Sequence, residues 1–321
     1  MAKQPMVMGA FACPDLWVDP AFYRRDGCQG FDHVRQIVME DLSVGYKDIL
    51  VHVDSTPASA VRLGLGLDLA RRFGARLSGL HVIPDPDVPP YFKPSAVERI
   101  AEIYRENARE AAVLAEAHFR ETTRDIDTVT AWQAVEGDLA RVLAERARFA
   151  DLVLLGQCDT ENPPTISAFL LPEKVVVDAG TPILVVPTRG TSDGIGRHVL
   201  LTWDGSREAA RALRDAMPLL KAAEQVSLLA IDPDRQGHVH PDANAAEVAA
   251  HLARHGVSTE PMELPSGDKS VTDILLAQIP KLGADLVVMG AYGHSRVLEF
   301  VLGGTTQDLL GRMTVPLFMS H

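Results

Sequence analysis

Residues 284–306 read ADLVVMGAYGHSRVLEFVLGGTT, which places two glycine-rich turns between an apolar run and a helix-like segment. The apolar run has the composition of a buried strand, and it ends at Gly290. A glycine turn after a parallel strand lets the backbone approach a ligand closely. A second glycine pair that opens a helix presents free N–H groups and a positive dipole end to an anion. Together the two turns indicate a site that holds two parts of one phosphate chain.

The chain carries the strand part of this pattern twice. ADLVLLG at residues 150–156 and ADLVVMG at residues 284–290 are 134 residues apart, and Asp54 and Asp204, which both end apolar runs, are 150 apart. Strands alternate with helices in each half, and one such helix runs from Ser206 to about residue 221. This alternation predicts an α/β fold with two tandem five-stranded parallel sheets, in which ligands bind at the carboxyl ends of the strands.

Domain boundaries follow from changes in composition. Residues 187–196 are rich in Pro, Gly, Ser and Thr, so we place one domain at residues 45–188 and a second at 197–321. Residues 1–44 mix aromatic residues with Pro, Gly and scattered charge and show no period. We expect them to form an N-terminal arm that is disordered or loosely docked. The alternatives are a true start near Met39 and an arm that covers a partner.

Composition limits the function classes. The net charge of −12 argues against nucleic acid or an anionic membrane surface as the main partner. Cys13, Cys28 and Cys158 show no metal-site or redox-pair spacing, which favours a reducing, cytoplasmic setting. No apolar run reaches the ~18 residues of a membrane helix, and the first 20 residues do not have the pattern of a signal peptide. The sequence shows no metal-ligand cluster, and it contains no P-loop.

The chain resembles the universal stress protein family in its tandem two-domain form. Gly290, Gly293 and Gly303 match the spacing of the family motif G-x2-G-x9-G-[S/T], and Asp204 matches the acidic residue that ends the first strand. The resemblance covers about residues 46–320. Gly304 departs from the motif, because nucleotide-binding members of the family have Ser or Thr there. A lost hydrogen bond to a charged phosphate costs ~1.5–3 kcal/mol, which weakens binding about tenfold or more.

The resemblance implies Rossmann-like domains with the strand order 3-2-1-4-5 and an adenine nucleotide, ATP with or without Mg²⁺, whose phosphates lie on the glycine motif. Gly267 matches the turn after the third strand, which lies near the ligand in the family; a plain turn is the alternative. His294 lies within the phosphate loop, as a phosphate contact or a solvated histidine. The residues that we assign to the nucleotide are Asp204, Gly267, Gly290, Gly293, His294, Gly303, Gly304 and Thr305.

The first half lacks this motif. Subtracting 134 places Asp159, Phe169 and Leu170 at the positions of the last three glycines, and only Gly156 is retained. A carboxylate and two large apolar side chains oppose a triphosphate, so the first half is predicted to be a structural repeat. We therefore expect ATP in the C-terminal half only.

The leading hypothesis is a stress-response protein with a binding or regulatory role and at most slow ATP hydrolysis. We name no catalytic residue, since no nucleophile–base pair is visible. The main alternative is a structural or interaction protein that binds no nucleotide, and a third hypothesis is a nucleotide hydrolase or adenylyl-transfer enzyme. Asp204 also has an alternative interpretation, as a helix N-cap. The resemblance implies an intramolecular pseudo-dimer through the fifth strands; a homodimer and an unknown protein partner stay open.

Overall fold

The computed structural model describes residues 45–86, 94–124, 127–157, 171–188, 194–231, 245–292 and 305–321. The expected N-terminal arm, residues 1–44, lies outside these ranges. None of the described helices combines the length and the apolarity that are needed to cross a membrane.

Strands and helices alternate along both halves, as the sequence predicts. The strands are β1 (Asp48–His52), β2 (Arg76–Ile83), β3 (Thr130–Glu136), β4 (Leu152–Gly156), β5 (Ile183–Val186), β6 (His198–Trp203), β7 (Gln225–Ile231), β8 (Thr259–Leu264), β9 (Leu286–Gly290) and β10 (Leu317–Ser320). The helices are α1 (Pro57–Phe73), α2 (Pro94–Thr122), α3 (Leu139–Ala147), α4 (Leu171–Ala179), α5 (Arg207–Asp215), α6 (Met217–Ala222), α7 (Ala245–Arg254), α8 (Val271–Leu282) and α9 (Thr305–Arg312).

All ten strands join one sheet in the order β3-β2-β1-β4-β5-β10-β9-β6-β7-β8. Each half has the order 3-2-1-4-5 with parallel pairing, which confirms the predicted fold class. The halves meet where β5 pairs antiparallel with β10, with Leu184 opposite Phe318. This contact is the internal pairing through the fifth strands that the sequence analysis predicted.

The sheet is buried on both faces, which is why its central strands are apolar without alternation. One face packs against α1, α2, α5, α6 and α7, and the other against α3, α4, α8 and α9. Successive residues of β10 show the division: Phe318 belongs to the first core, and Leu317 and Met319 belong to the second. The two cores fix the position of every strand end.

One predicted helix is wrong. The segment expected to run as a single helix from Ser206 to about residue 221 is two helices, α5 and α6, separated at Ala216. Pro218 lies in the first turn of α6. It has no N–H to donate to the carbonyl of Arg214, and its ring crowds that carbonyl, so the helical hydrogen-bond ladder is interrupted there.

Polar contacts also join the halves beside the β5–β10 seam. Arg72, near the end of α1, donates to the carbonyl oxygens of Ile195 at 2.9 Å and Ala222 at 2.8 Å. The hydroxyl of Tyr46 donates to the carbonyl oxygen of Asp215 at 2.8 Å. These bonds tie the end of α1 to the start of the second repeat and to the turn after α6.

Candidate functional site

Two of the predicted site residues of the second repeat lie at the ends of neighbouring strands. Gly290 is the last residue of β9, and Asp204 directly follows β6, which pairs with β9. The register places Leu201 opposite Val288, so the two strands end side by side. In open parallel sheets, ligands bind in the crevice at these carboxyl ends.

Asp204 organises the start of α5. Its Oδ1 accepts hydrogen bonds from the Ser206 amide at 3.0 Å and from the Ser206 hydroxyl at 2.6 Å. The Ser206 Oγ then accepts a bond from the amide of Ala209 at 3.0 Å. Ser206 is therefore the N-cap of α5, and the alternative that Asp204 itself caps this helix is wrong. Asp204 orients the cap from two residues upstream.

Gly290 lies directly under the first turn of α5. A Cβ atom at this position would stand only 2.6 Å from the carbonyl carbon of Glu208 and 3.0 Å from the Cα of Ala209. The missing side chain thus permits the helix backbone to approach the strand end closely. The side chain of Glu208 is buried in this first turn and forms an ion pair with Arg207.

Gly267 and Thr305 lie at the starts of α8 and α9. Gly267 has a φ of +56° in the turn before α8, with open space around it, so its conformation rather than crowding favours glycine. Thr305 is the first residue of α9, and its carbonyl accepts a hydrogen bond from the Thr272 hydroxyl at 3.5 Å. An open groove of about 530 Å³ runs between the two helices. Its lining includes Ser270, Thr272, Thr305, Gln307, Asp308, Gly311 and Arg312.

The remaining predicted site residues, Gly293, His294, Gly303 and Gly304, lie outside the described residues, as does the corresponding loop of the first repeat, residues 158–170. Among the residues that the structure describes, no group of three or more His, Cys, Asp or Glu side chains is arranged to hold a metal ion.

The first repeat contains a buried charged cluster that the sequence analysis missed. Arg62 of α1 is only 2% exposed, and its Nη2 donates to the Asp54 carboxylate at 2.8 Å. Its Nε donates to the carbonyl oxygen of His52 at 2.6 Å. A Cβ atom at Gly156, the last residue of β4, would collide with Nη1 of the same guanidinium. Arg62 therefore fills the space where β1 and β4 end. We call Arg62, Asp54, His52 and His81 the arginine cluster.

The protonation states in the arginine cluster follow from burial and from the charge of Arg62. Burial and the Arg62 guanidinium lower the pKa of His52 to about 3, against the opposite effect of Asp54, so this imidazole is neutral near pH 7. Burial raises the pKa of Asp54, but Arg62, His52 and bonds from Thr56 outweigh it and hold that pKa below its usual value. His81 is also buried, and its Nδ1 lies 2.8 Å from the carbonyl oxygen of Val53.

A sequence signal for this cluster existed. Arg62 precedes Leu65 and Leu69 by three and seven residues, so it shares their face of the helix. All three are buried. An arginine on a buried stripe needs an acceptor nearby, and Asp54 ends the strand that packs beneath it. The sequence analysis assigned Asp54 to a cap or loop contact and did not consider Arg62.

The two repeats can be compared with known protein families. The model of the Universal stress protein family matches the chain twice, at residues 45–187 and 196–321. The chain belongs to the universal stress protein family. Its two matched segments make it a tandem member, as the resemblance in the sequence indicated. None of the curated proteins searched matches the chain.

Solved structures share this fold. A universal stress protein from Archaeoglobus fulgidus DSM 4304 is 17% identical, and the match covers 85% of this chain and 96% of that chain with a TM-score of 0.62. A universal stress family protein from Burkholderia pseudomallei is 27% identical over 44% of this chain and 96% of its own, with a TM-score of 0.30. A universal stress protein in complex with cAMP is 17% identical over 39% of this chain and 97% of its own, with a TM-score of 0.31.

Proposed function

We propose that this universal stress protein binds one ATP molecule in its C-terminal repeat and acts in the cytoplasm as a binding or regulatory protein of the stress response. Both repeats belong to the family. The proposal is carried by the placement of Asp204 and Gly290 at the ends of the neighbouring strands β6 and β9. The glycine spacing at Gly290, Gly293 and Gly303 gives further support.

The described residues suit an adenine nucleotide chemically. A carboxylate such as Asp204 accepts hydrogen bonds from ribose hydroxyls or from an adenine amino group. Thr305 begins α9, and the first N–H groups of a helix, together with the positive end of its dipole, favour a phosphate. Mg²⁺, if it accompanies ATP, would be held through the phosphates, since the described residues of the chain hold no metal cluster of their own.

The first repeat explains why we propose a single site. Asp54 occupies the position of Asp204, but its carboxylate is bound to the buried guanidinium of Arg62. That guanidinium also lies against Gly156, the counterpart of Gly290. A ligand at this strand end would have to displace a buried charge pair, which costs several kcal/mol, on the order of 3–5.

Calorimetric titration of the full chain with ATP, with and without Mg²⁺, tests the proposal. We expect saturable binding by the unmodified chain and roughly tenfold weaker binding by Asp204→Asn, which replaces one acceptor oxygen by a donor. Asp54→Asn is the matched control, and we expect its affinity to stay within about twofold once thermal unfolding shows that the variant is folded. Absence of binding at millimolar ATP would overturn the proposal. It would favour the alternative of a structural or interaction protein that binds no nucleotide.

A further inference from the structure

The backbone that leaves Gly290 is strained. Tyr292 has a φ of +59°, and among the described residues it is the one non-glycine residue with a positive φ. Left-handed backbone is unfavourable for a tyrosine because its Cβ approaches the neighbouring carbonyl oxygen. Such a conformation persists only where the surroundings hold it in place, and it often marks a functional position.

Residues of the first repeat supply part of that support. The ring of Tyr292 packs against the second core, and its hydroxyl oxygen is buried. This hydroxyl interacts with the carboxyl group of Glu173 on α4, a helix of the other repeat. Burial raises the pKa of Glu173, while the hydrogen bond with Tyr292 opposes that shift. A carboxyl group of one repeat therefore faces the strained residue of the other.

Further bonds fix the same turn and the helix beyond it. The amide of Ala291 donates to the carbonyl oxygen of Ser320 at 2.8 Å, and Nδ1 of His321 lies 2.9 Å from the carbonyl oxygen of Ala291. Across the seam, Nε2 of Gln157 donates to the carbonyl oxygen of Leu310 in α9 at 2.7 Å.

Gln157 and Glu173 occupy the first-repeat positions that correspond to Ala291 and Gln307, 134 residues later. Gln157 directly follows β4, and Glu173 lies in the first turn of α4. The first repeat thus uses both ends of its own degenerate motif to contact the two flanks of the intact motif.

We propose that Glu173 is a positioning residue for the nucleotide site of the second repeat, because it holds Tyr292 in the left-handed conformation and so fixes the backbone that leaves Gly290. This inference rests on the proposed function. It gives the first repeat a role in that function, since a binding-incompetent repeat orients the binding-competent one. Glu173 acts through Tyr292 and is not assigned a contact with the nucleotide.

Calorimetric titration of full-chain variants with ATP tests the positioning role. We expect Glu173→Ala to weaken binding about tenfold, and Glu173→Gln to retain most of the affinity because its amide oxygen still accepts a bond from the hydroxyl. Tyr292→Phe should weaken binding as Glu173→Ala does, and combining the two should add little. Lys174→Ala, on the exposed side of the same helix, is the control, and we expect it to match the unmodified chain.

A glycine at position 292 separates positioning from a general structural effect. Glycine adopts a positive φ without strain, so it does not need the support of Glu173. In a Tyr292→Gly background, we therefore expect Glu173→Ala to change the ATP affinity by no more than about twofold. A merely structural role of Glu173 would weaken binding equally in both backgrounds, and that result would overturn the inference.

The outcomes also separate the inference from the proposed function. Binding by the unmodified chain together with unchanged affinity in Glu173→Ala would overturn the positioning role alone. Failure of the unmodified chain to bind ATP would overturn both. Amide hydrogen exchange at residues 291 and 292 adds a readout that needs no ligand, and we expect faster exchange in Glu173→Ala. Unchanged exchange there would count against any support of Tyr292 by Glu173.

Discussion

At the carboxyl edge of the first repeat, the buried guanidinium of Arg62 lies against Gly156 and binds Asp54. At the same edge of the second repeat, Ala212 stands 150 residues after Arg62, and the backbone of α5 itself lies on Gly290. The two repeats therefore share strand order but close this edge differently. In the first repeat the aspartate is neutralised by a cation from its own domain.

The comparison shows how a duplicated fold can separate binding from support. The arginine cluster occupies one strand end with protein groups, and it removes the need for an external partner for Asp54. His52 and Arg62 in the first repeat correspond to Thr202 and Ala212 in the second, so the cluster has no counterpart there. The first repeat retains the surface that meets the second, through β5 and through Gln157.

The largest expected effect comes from removing the charge that distinguishes the first repeat. Arg62→Ala leaves Asp54 without its cation and opens a cavity under α1. We expect a loss of about 3 kcal/mol in the free energy of unfolding, measured by urea denaturation. Arg71→Ala is the control on the same helix; its partner Asp68 is 3.9 Å away and both side chains are about half exposed, so we expect less than about 0.5 kcal/mol. Equal losses would refute the difference in burial.

The two strand-end glycines provide a matched pair of substitutions. Gly290→Ala places a methyl group against the backbone of α5, which cannot move without shifting the helix, and we expect a loss of about 2–3 kcal/mol. Gly156→Ala meets the tip of a side chain instead, so Arg62 can shift, and we expect about 1–2 kcal/mol. Thermal or urea unfolding of both variants measures the difference. A larger loss for Gly156→Ala would contradict the packing described for Gly290.

The arginine cluster also predicts a dependence of stability on pH. The pKa of His52 falls from 6.5 to about 3 in the folded protein. Between these values the unfolded chain binds a proton that the folded chain does not, so stability decreases as pH falls, by up to about 1.4 kcal/mol per pH unit. His52→Thr, which introduces the residue of the second repeat, should reduce this slope by about one proton. Urea denaturation at several pH values measures it, and an unchanged slope would exclude His52 as the source.

The smallest expected effect concerns the departure of the second repeat from the family motif. Gly304→Ser restores the hydroxyl that the family motif has at this position. We expect the ATP affinity to increase by about tenfold, which corresponds to one hydrogen bond to a charged phosphate. Leu170→Ser, at the corresponding position of the first repeat, is the control and should leave the affinity unchanged. An equal gain in both variants would argue against a site confined to the second repeat.

Much of the fold could be predicted from the sequence because strands buried on both faces appear as continuous apolar runs. The repeat of 134 residues between the two ADLV segments fixed the correspondence of the halves, and the β5–β10 pairing followed from the family resemblance. The break at Ala216 was missed because Pro218 was treated as tolerable near a helix end. The arginine cluster and the Glu173–Tyr292 contact join residues that are distant in sequence, so no local pattern indicated them.

The number of ATP molecules bound per chain tests the central claim most directly. Calorimetric titration of the unmodified full chain, with the protein concentration determined independently, gives this number. The asymmetry between the repeats predicts one ATP per chain, with binding weakened by Asp204→Asn and not by Asp54→Asn. Two ATP molecules per chain, or one whose affinity depends on Asp54 and not on Asp204, would contradict it.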